Sequence, residues 1–268
     1  MRIAESVVVV TGGASGIGAG LARRFVADGA QAVVVADHRI EGAAALADEL
    51  GDRVTAFEVD VTDEAAVARL VADTVAAHGR IDLFCSNAGI PTGVGLEGGE
   101  AADLAWQRAW NVHVMAHVYA ARAVLPVMVE AGSGYLLNTA SAAGLLSSPG
   151  DAPYSVSKHA AVAFAEWLAY QYRDRGIRVS TLCPMGVDTP LLMDGLAAGA
   201  AAAKAVAASG QVLGVDAVAE AVVQALAEER SLILPHPEVG TYWAGKAADI
   251  EHWLSGMARL AAAAGTTG

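Results

Sequence analysis

Short continuous apolar runs alternate along the chain with longer stretches whose apolar residues recur every three or four positions. Residues 7–10 and 32–36 are apolar throughout, the pattern of strands buried on both faces of a parallel sheet. Between them, 16–29 reads as a helix ending at a glycine, and 40–50 as a second helix closed by Gly51. Residues 54–59 alternate like a strand, and Thr62-Asp63-Glu64 then supplies an N-cap with an acidic first turn. A helix to about His78 follows, with a strand at 81–85, a long helix at 100–130 and a strand at 135–139. The pattern closes with a helix at 153–175, a strand at 178–183, a helix at 215–229 and a strand at 232–234. This βαβ rhythm, with no linker and no internal repeat, predicts an α/β fold: one doubly wound parallel sheet with helices on both faces, a single domain over 1–268. The alanine-rich piece 197–208 suits a helical lid near 190–212, and 242–262 predicts an amphipathic C-terminal helix carrying Trp243 and Trp253.

Composition narrows the partners. Hydrophobic residues make up 54% of the chain, enough for a sizeable core. No apolar run reaches the roughly 18 residues that span a bilayer. The first residues are too short and too acidic a stretch for a signal peptide, so a cytoplasmic protein without a membrane partner is expected. Cys85 and Cys183 each sit in an apolar strand-like run and read as buried reduced thiols. A net charge of −12 argues against nucleic acid, which needs clustered Lys and Arg. Alanine richness and the preference for Arg over Lys suggest a GC-rich bacterial genome. The chain has only three lysines, Lys158, Lys204 and Lys246, so their positions carry information.

Three local signals point to chemistry. Gly12-Gly13-Ala14-Ser15-Gly16-Ile17-Gly18 lies between the first strand and first helix, where glycines let backbone approach a pyrophosphate on the helix N-terminus. Its spacing is Gly-x-x-x-Gly-x-Gly, not the common Gly-x-Gly-x-x-Gly. Asp37, at the end of the second strand, is placed to accept hydrogen bonds from an adenosine ribose and to repel a 2′-phosphate, favouring NAD over NADP. His38 and Arg39 pull the other way. Finally, Tyr154 and Lys158 share one helix face, Ser141 follows a strand, and Asn111 lies upstream. A phenol titrates near about pH 10, and an adjacent ammonium brings that value towards neutrality.

With these residues the chain resembles a short-chain dehydrogenase/reductase over essentially its full length. The matching pieces are Thr11 to Gly18, Asp60-Val61, Asn87-Ala88-Gly89, Asn111, Ser141 and Tyr154-Ser155-Val156-Ser157-Lys158. The resemblance implies a sheet of about seven strands and a homotetramer or homodimer. It implies Tyr154 as general acid/base, Lys158 lowering its pKa and holding the nicotinamide ribose, and Ser141 on the substrate oxygen. Asn111 would hold a water in a proton relay, and Asp60 and Val61 would contact the adenine. Asn87, Ala88 and Gly89 would line the cofactor cleft, together with Pro184, Gly186, Val187 and Thr189 near the nicotinamide. Met185 stands where the family commonly has glycine, which alters local backbone and pocket shape.

Other features read more plainly. His113 and His117 have a zinc-compatible i, i+4 spacing but no third ligand nearby, so no metal is expected. Trp106 and Trp110 read as core or helix packing, and Asp188 as a helix cap. The pocket segment offers Leu191, Leu192, Met193 and Leu196, which suit an apolar secondary alcohol or ketone and present no Arg clamp. Reduction of carrier-bound 3-oxoacyl groups ranks second, because no Lys or Arg occurs between Arg122 and Lys158 to dock an acidic carrier. A non-catalytic nucleotide sensor would need the glycines and Asp37 but not the four catalytic candidates.

Overall fold

The computed structural model describes residues 1–97 and 99–265. Among them seven strands form one parallel sheet: β1 (Val7–Thr11), β2 (Ala32–Asp37), β3 (Val54–Glu58), β4 (Leu83–Ser86), β5 (Gly134–Thr139), β6 (Ile177–Leu182) and β7 (Leu232–Ile233). Their order is β3-β2-β1-β4-β5-β6-β7, the doubly wound arrangement expected from the apolar runs. The helices are α1 (Gly16–Ala27), α2 (Ile40–Leu50), α3 (Glu64–His78), α4 (Gly99–Trp110), α5 (Ala116–Glu130) and α6 (Ala152–Gln171). They continue with α7 (Pro190–Ala197), α8 (Ala201–Ala208), α9 (Val215–Ala227), α10 (Pro237–Ala248) and α11 (Ile250–Ala264).

Both faces of the sheet are dry because successive strand side chains point to opposite sides and both sets are apolar. Val8, Val10, Val33, Val35, Leu83 and Cys85 pack with Leu21 and Phe25 of α1 and Val218 and Val222 of α9. Val9, Val34 and Phe84 face the other way, onto Leu70 of α3, Val124 of α5 and Leu168 of α6. Val9 pairs in register with Val34 on one side and Phe84 on the other. The chain leaves β1 towards β2 and later returns to β4 on the opposite side. That reversal opens a crevice at the C-terminal strand ends, where α/β sheets bind ligands.

Several sequence expectations need correction. The helix expected over 100–130 is interrupted by a π-type turn at Asn111–Met115, so Asn111 sits at the start of a widened turn. By length and composition alone Gly99–Glu130 could also cross a bilayer; 56% of its most apolar window is buried in the protein, as in a core helix. The helix expected over 153–175 stops at Gln171 and ends in a 3₁₀ turn, Arg173–Arg175. The single C-terminal helix is two, broken at Asp249, whose side chain caps α11 by accepting the His252 N–H. Trp110 is 42% exposed, because the buried stripe of α4 is Ala102 and Ala109 rather than its tryptophans. Asp188 is no cap: Thr189 occupies the N-cap of α7, and Asp188 donates its backbone N–H to Leu213.

Candidate active site

A cavity of about 1010 Å³ lies over the C-terminal ends of β1, β4, β5 and β6. One end is built by the glycine turn. Gly12 has φ +65°, and a Cβ there would stand 2.7 Å from the Ala88 Cα; a Cβ on Gly18 would stand 2.2 Å from the Gly12 carbonyl oxygen. The turn can therefore pack against 87–88 only as glycine. Asn87 locks the junction. Its backbone N–H donates to Thr11 Oγ1 at 3.0 Å, its amide nitrogen donates to the Thr11 carbonyl at 3.2 Å, and its Oδ1 accepts the Thr139 hydroxyl at 3.0 Å. Helix α1 starts at Gly16 with no side-chain cap on its first turn, so its N–H groups face the cleft beside Ser15 and Ile17.

Asp37 is buried at the same end. Its carboxylate accepts the Ala14 N–H and the Arg39 N–H, each at 3.0 Å, and lies 3.1 Å from His38 Nδ1. Arg39 reaches over the glycine turn and donates to Ser15 Oγ at 3.0 Å. The acidic and basic residues that compete over a 2′-phosphate thus lie against one another. Asp60 and Val61 line the wall next to them, with Asp60 accepting the Thr62 N–H at 2.9 Å.

The opposite end gathers Asn111, Ser141, Tyr154 and Lys158. Lys158 is 2% exposed; its ammonium donates to the Thr139 carbonyl at 3.0 Å and lies 5.7 Å from the centroid of the Tyr154 ring. Burial lowers its pKa to about 8. Tyr154 is raised above the ordinary phenol value by burial, and a hydrogen bond from Ser141 opposes the rise. The expected depression by Lys158 does not appear; burial sets the direction. Ser141 Oγ accepts the Ala143 N–H at 3.1 Å, which fixes its rotamer beside the phenol. Asn111 Oδ1 accepts an amide hydrogen of Gln107 at 2.9 Å.

Sequence reasoning missed the shell that holds these groups. His113 is fully buried, edge-on to the Tyr154 ring at 5.3 Å. Its Nε2 accepts the Ile90 N–H at 3.1 Å, so the proton resides on Nδ1, which meets Ser157 Oγ at 2.8 Å. Burial and the nearby Lys158 hold its pKa well below the usual histidine value. Both nitrogens are committed within the protein, which is what the zinc-compatible spacing conceals. Asp151 caps α6 three residues before Tyr154, and the sequence Asp151-Ala152-Pro153 carried that signal. Lys246 donates to the Leu145 and Leu146 carbonyls at 2.8 and 3.0 Å, tying α10 to the turn after Ser141. Trp253, Met257 and Leu260 of α11 complete the apolar wall.

Of the residues singled out from sequence, Gly12, Ser15, Gly16, Ile17, Asp37, Arg39, Asp60, Val61, Asn87, Ala88 and Gly89 all line this cavity, as do Pro184, Val187 and Thr189. Gly18 and Gly186 do not. Gly18 packs behind the turn on Gly12 and Asn87, and Gly186 faces Val206 and Val212.

A family model described as short chain dehydrogenase matches residues 6–198. The chain belongs to the short chain dehydrogenase family. It is 40% identical over 196 residues to a 1-deoxy-11-beta-hydroxypentalenate dehydrogenase from Streptomyces exfoliatus, covering 72% of this chain and 71% of that one. It is 36% identical over 191 residues to 3beta-hydroxysteroid dehydrogenase 2 from Eggerthella lenta, covering 70% and 73% of the two chains. A short chain dehydrogenase/reductase from Burkholderia phymatum, solved in complex with NAD, superposes with a TM-score of 0.84 at 29% identity over 94% of this chain and 96% of that one. A Brucella melitensis 3-ketoacyl-(acyl-carrier-protein) reductase complexed with NADH gives a TM-score of 0.75 at 29% identity, covering 87% and 95%. This short chain dehydrogenase is thus an oxidoreductase, and its candidate site lies at the crevice of its sheet.

Proposed function

We propose that this short chain dehydrogenase interconverts a secondary alcohol and a ketone on an apolar, fused-ring small molecule, using a nicotinamide dinucleotide with NAD preferred. The observation that carries this reading is one cavity with the glycine turn and Asp37 at one end and Ser141, Tyr154 and Lys158 at the other. The residues fit a dinucleotide: Cβ atoms at Gly12 and Gly18 would fill the turn, and α1 presents an uncapped N-terminus there. Asp37 would take the adenosine ribose, and Lys158 the ribose nearer Tyr154. When bound, the cofactor accepts or donates the hydride.

The remaining chemistry belongs to the chain. Ser141 and Tyr154 converge on one substrate oxygen, orienting the carbon that bears it. In the reductive direction the Tyr154 phenol gives its proton to the forming alkoxide; in the oxidative direction the phenolate takes the alcohol proton. Tyr154, held high by burial, is already loaded for proton donation at neutral pH. Lys158, buried behind the ring, supplies the charge that offsets a phenolate once it forms. Met185, Leu146, Leu192, Trp253, Met257 and Leu260 exclude water from the substrate side. The relatives' names, a hydroxypentalenate and a hydroxysteroid dehydrogenase, support a ring-bearing alcohol.

The test follows absorbance at the reduced-nicotinamide band with a panel of hydroxysteroids and other polycyclic secondary alcohols, using NAD and NADP in parallel. Tyr154→Phe should abolish turnover and leave NAD binding intact. Turnover at the parent rate in that variant, or no reduction of either dinucleotide with any alcohol in the panel, would overturn the reading.

A further inference from the structure

The ladder between β6 and β7 is short. It ends where the Cys183 N–H donates to the Ile233 carbonyl at 2.9 Å, after which the chain turns away towards Pro237 and α10. The next backbone groups along β6, in the segment 184–186 whose Pro184 and Met185 border the cavity, have no strand opposite them. They are paired nonetheless. Nδ1 of His236 accepts the Met185 N–H at 3.1 Å, and His236 Nε2 stands 3.0 Å from the Gly186 carbonyl. A carbonyl oxygen only accepts, so the proton lies on Nε2 and the lone pair on Nδ1; one neutral tautomer satisfies both partners. The ring is 1% exposed, so its own nitrogens have no water to turn to instead. A side chain thus does for Met185 and Gly186 what a further residue of β7 would do.

The rest of the segment is held from other sides. The Pro184 carbonyl accepts the Ala142 N–H at 2.8 Å, next to Ser141, and the Gly186 carbonyl also accepts the Leu213 N–H at 2.9 Å. Met185 is the one whose N–H depends on His236 alone among these contacts. Its side chain lies against Gly210, where a Cβ would come within 2.4 Å of the Met185 Cε. Its backbone is therefore set by the imidazole on one side and by glycine packing on the other.

We propose that His236 is a positioning residue for the cofactor-facing segment 184–189, fixing the wall against which the nicotinamide half of the dinucleotide rests. This rests on the dinucleotide reading given above. His236 does not line the cavity; it acts through Met185 and Gly186. The adenosine half, held by the glycine turn and Asp37 on the other side of the crevice, is independent of it.

That separation makes the test. Calorimetric binding of NAD and of ADP-ribose, which lacks the nicotinamide, is compared in the parent, His236→Phe and His236→Gln. His236→Phe keeps the ring volume but strands the Met185 N–H, and should weaken NAD binding roughly tenfold to a hundredfold while leaving ADP-ribose binding unchanged. His236→Gln, which carries an acceptor and a donor on one amide, should return NAD affinity to within roughly threefold of the parent. Should His236→Phe not fold, His236→Asn, whose shorter amide reaches one partner, carries the same comparison. Equal losses for NAD and ADP-ribose would show a merely structural role and overturn the proposal, as would unchanged NAD affinity in His236→Phe. A parent that binds neither ligand would overturn the dinucleotide reading itself, and this inference with it.

Discussion

The carboxylate of Asp151 accepts the backbone N–H of Tyr154 at 3.1 Å. The same buried carboxylate accepts the N–H of Thr92 at 2.9 Å, the N–H of Gly93 at 2.8 Å and the Thr92 hydroxyl. One side chain therefore caps the helix that carries Tyr154 and Lys158 and anchors the loop at the cavity mouth. Asp151→Ala strands these donors and should cost about 1–3 kcal/mol of stability. Urea denaturation measures that loss. The rate constant kcat should fall with it, because Tyr154 stands in the first turn that Asp151 holds. An unchanged denaturation midpoint would contradict this account.

Lys158 gives a pH signature. Its folded pKa is about 8 against an ordinary 10.5, so between those values the unfolded chain binds a proton that the native protein does not. Stability from this group consequently rises with pH from about 8 to 10.5, by up to roughly 3 kcal/mol, and below pH 8 the cost of burying the charge is constant. Lys158→Met should remove this slope. The measurement is the parent-minus-variant difference in unfolding free energy without dinucleotide, and a difference that stays flat across pH 8–10 would refute it.

His117 acts at the acid end. It is 2% exposed, and neither ring nitrogen has a hydrogen-bond partner among the described residues. Burial, with Lys158 adding repulsion, lowers its pKa to about 3. Below the ordinary value of 6.5 the unfolded chain takes up a proton that the native ring refuses. Stability is lost as pH falls from about 6.5 towards 3, at roughly 1.4 kcal/mol per pH unit for this group. His117→Leu should make the protein more acid-resistant, with the gain in melting temperature growing from pH 6.5 to pH 4. A gain independent of pH would locate the effect in packing instead.

Asp37 should control the choice of dinucleotide. Its charge lies against the Ala14 N–H and beside Arg39. Asp37→Ser removes the repulsion of a 2′-phosphate and leaves Arg39 free to meet it. The ratio of kcat/KM for NAD to that for NADP should drop by roughly tenfold or more, an electrostatic effect of about 1.4 kcal/mol. A parent enzyme that already prefers NADP would reverse the roles assigned to Asp37 and Arg39.

What could be read from the sequence follows the range of the interactions. The strands were legible because Val7 to Val10 and Ala32 to Ala36 are apolar on both faces, which only a covered parallel sheet demands. The cap at Asp63 and the shared face of Tyr154 and Lys158 are spacings of a few residues, visible in one turn. The π-type turn at Asn111 was not legible, since no local pattern marks a turn whose Val112, His113 and Val114 are buried. Trp106 and Trp110 misled because bulk at i, i+4 suggests burial, whereas α4 approaches its neighbours closely through Ala102 and Ala109. His236 had no local pattern at all: its partners are some fifty residues away and meet it only when the sheet is assembled.

The wall formed by α11 sets part of the shape of the pocket. Residues 6–198 match the family model, while Trp253, Met257 and Leu260 come from the helix pair α10 and α11 that follows the last strand. Its hold on the rest includes Lys246 gripping two carbonyls and Trp253 packing beside Leu145 and Val239. Substitution on α11 would thus reshape one part of the pocket, while Leu146, Met185 and Leu192 of the matched stretch keep the rest.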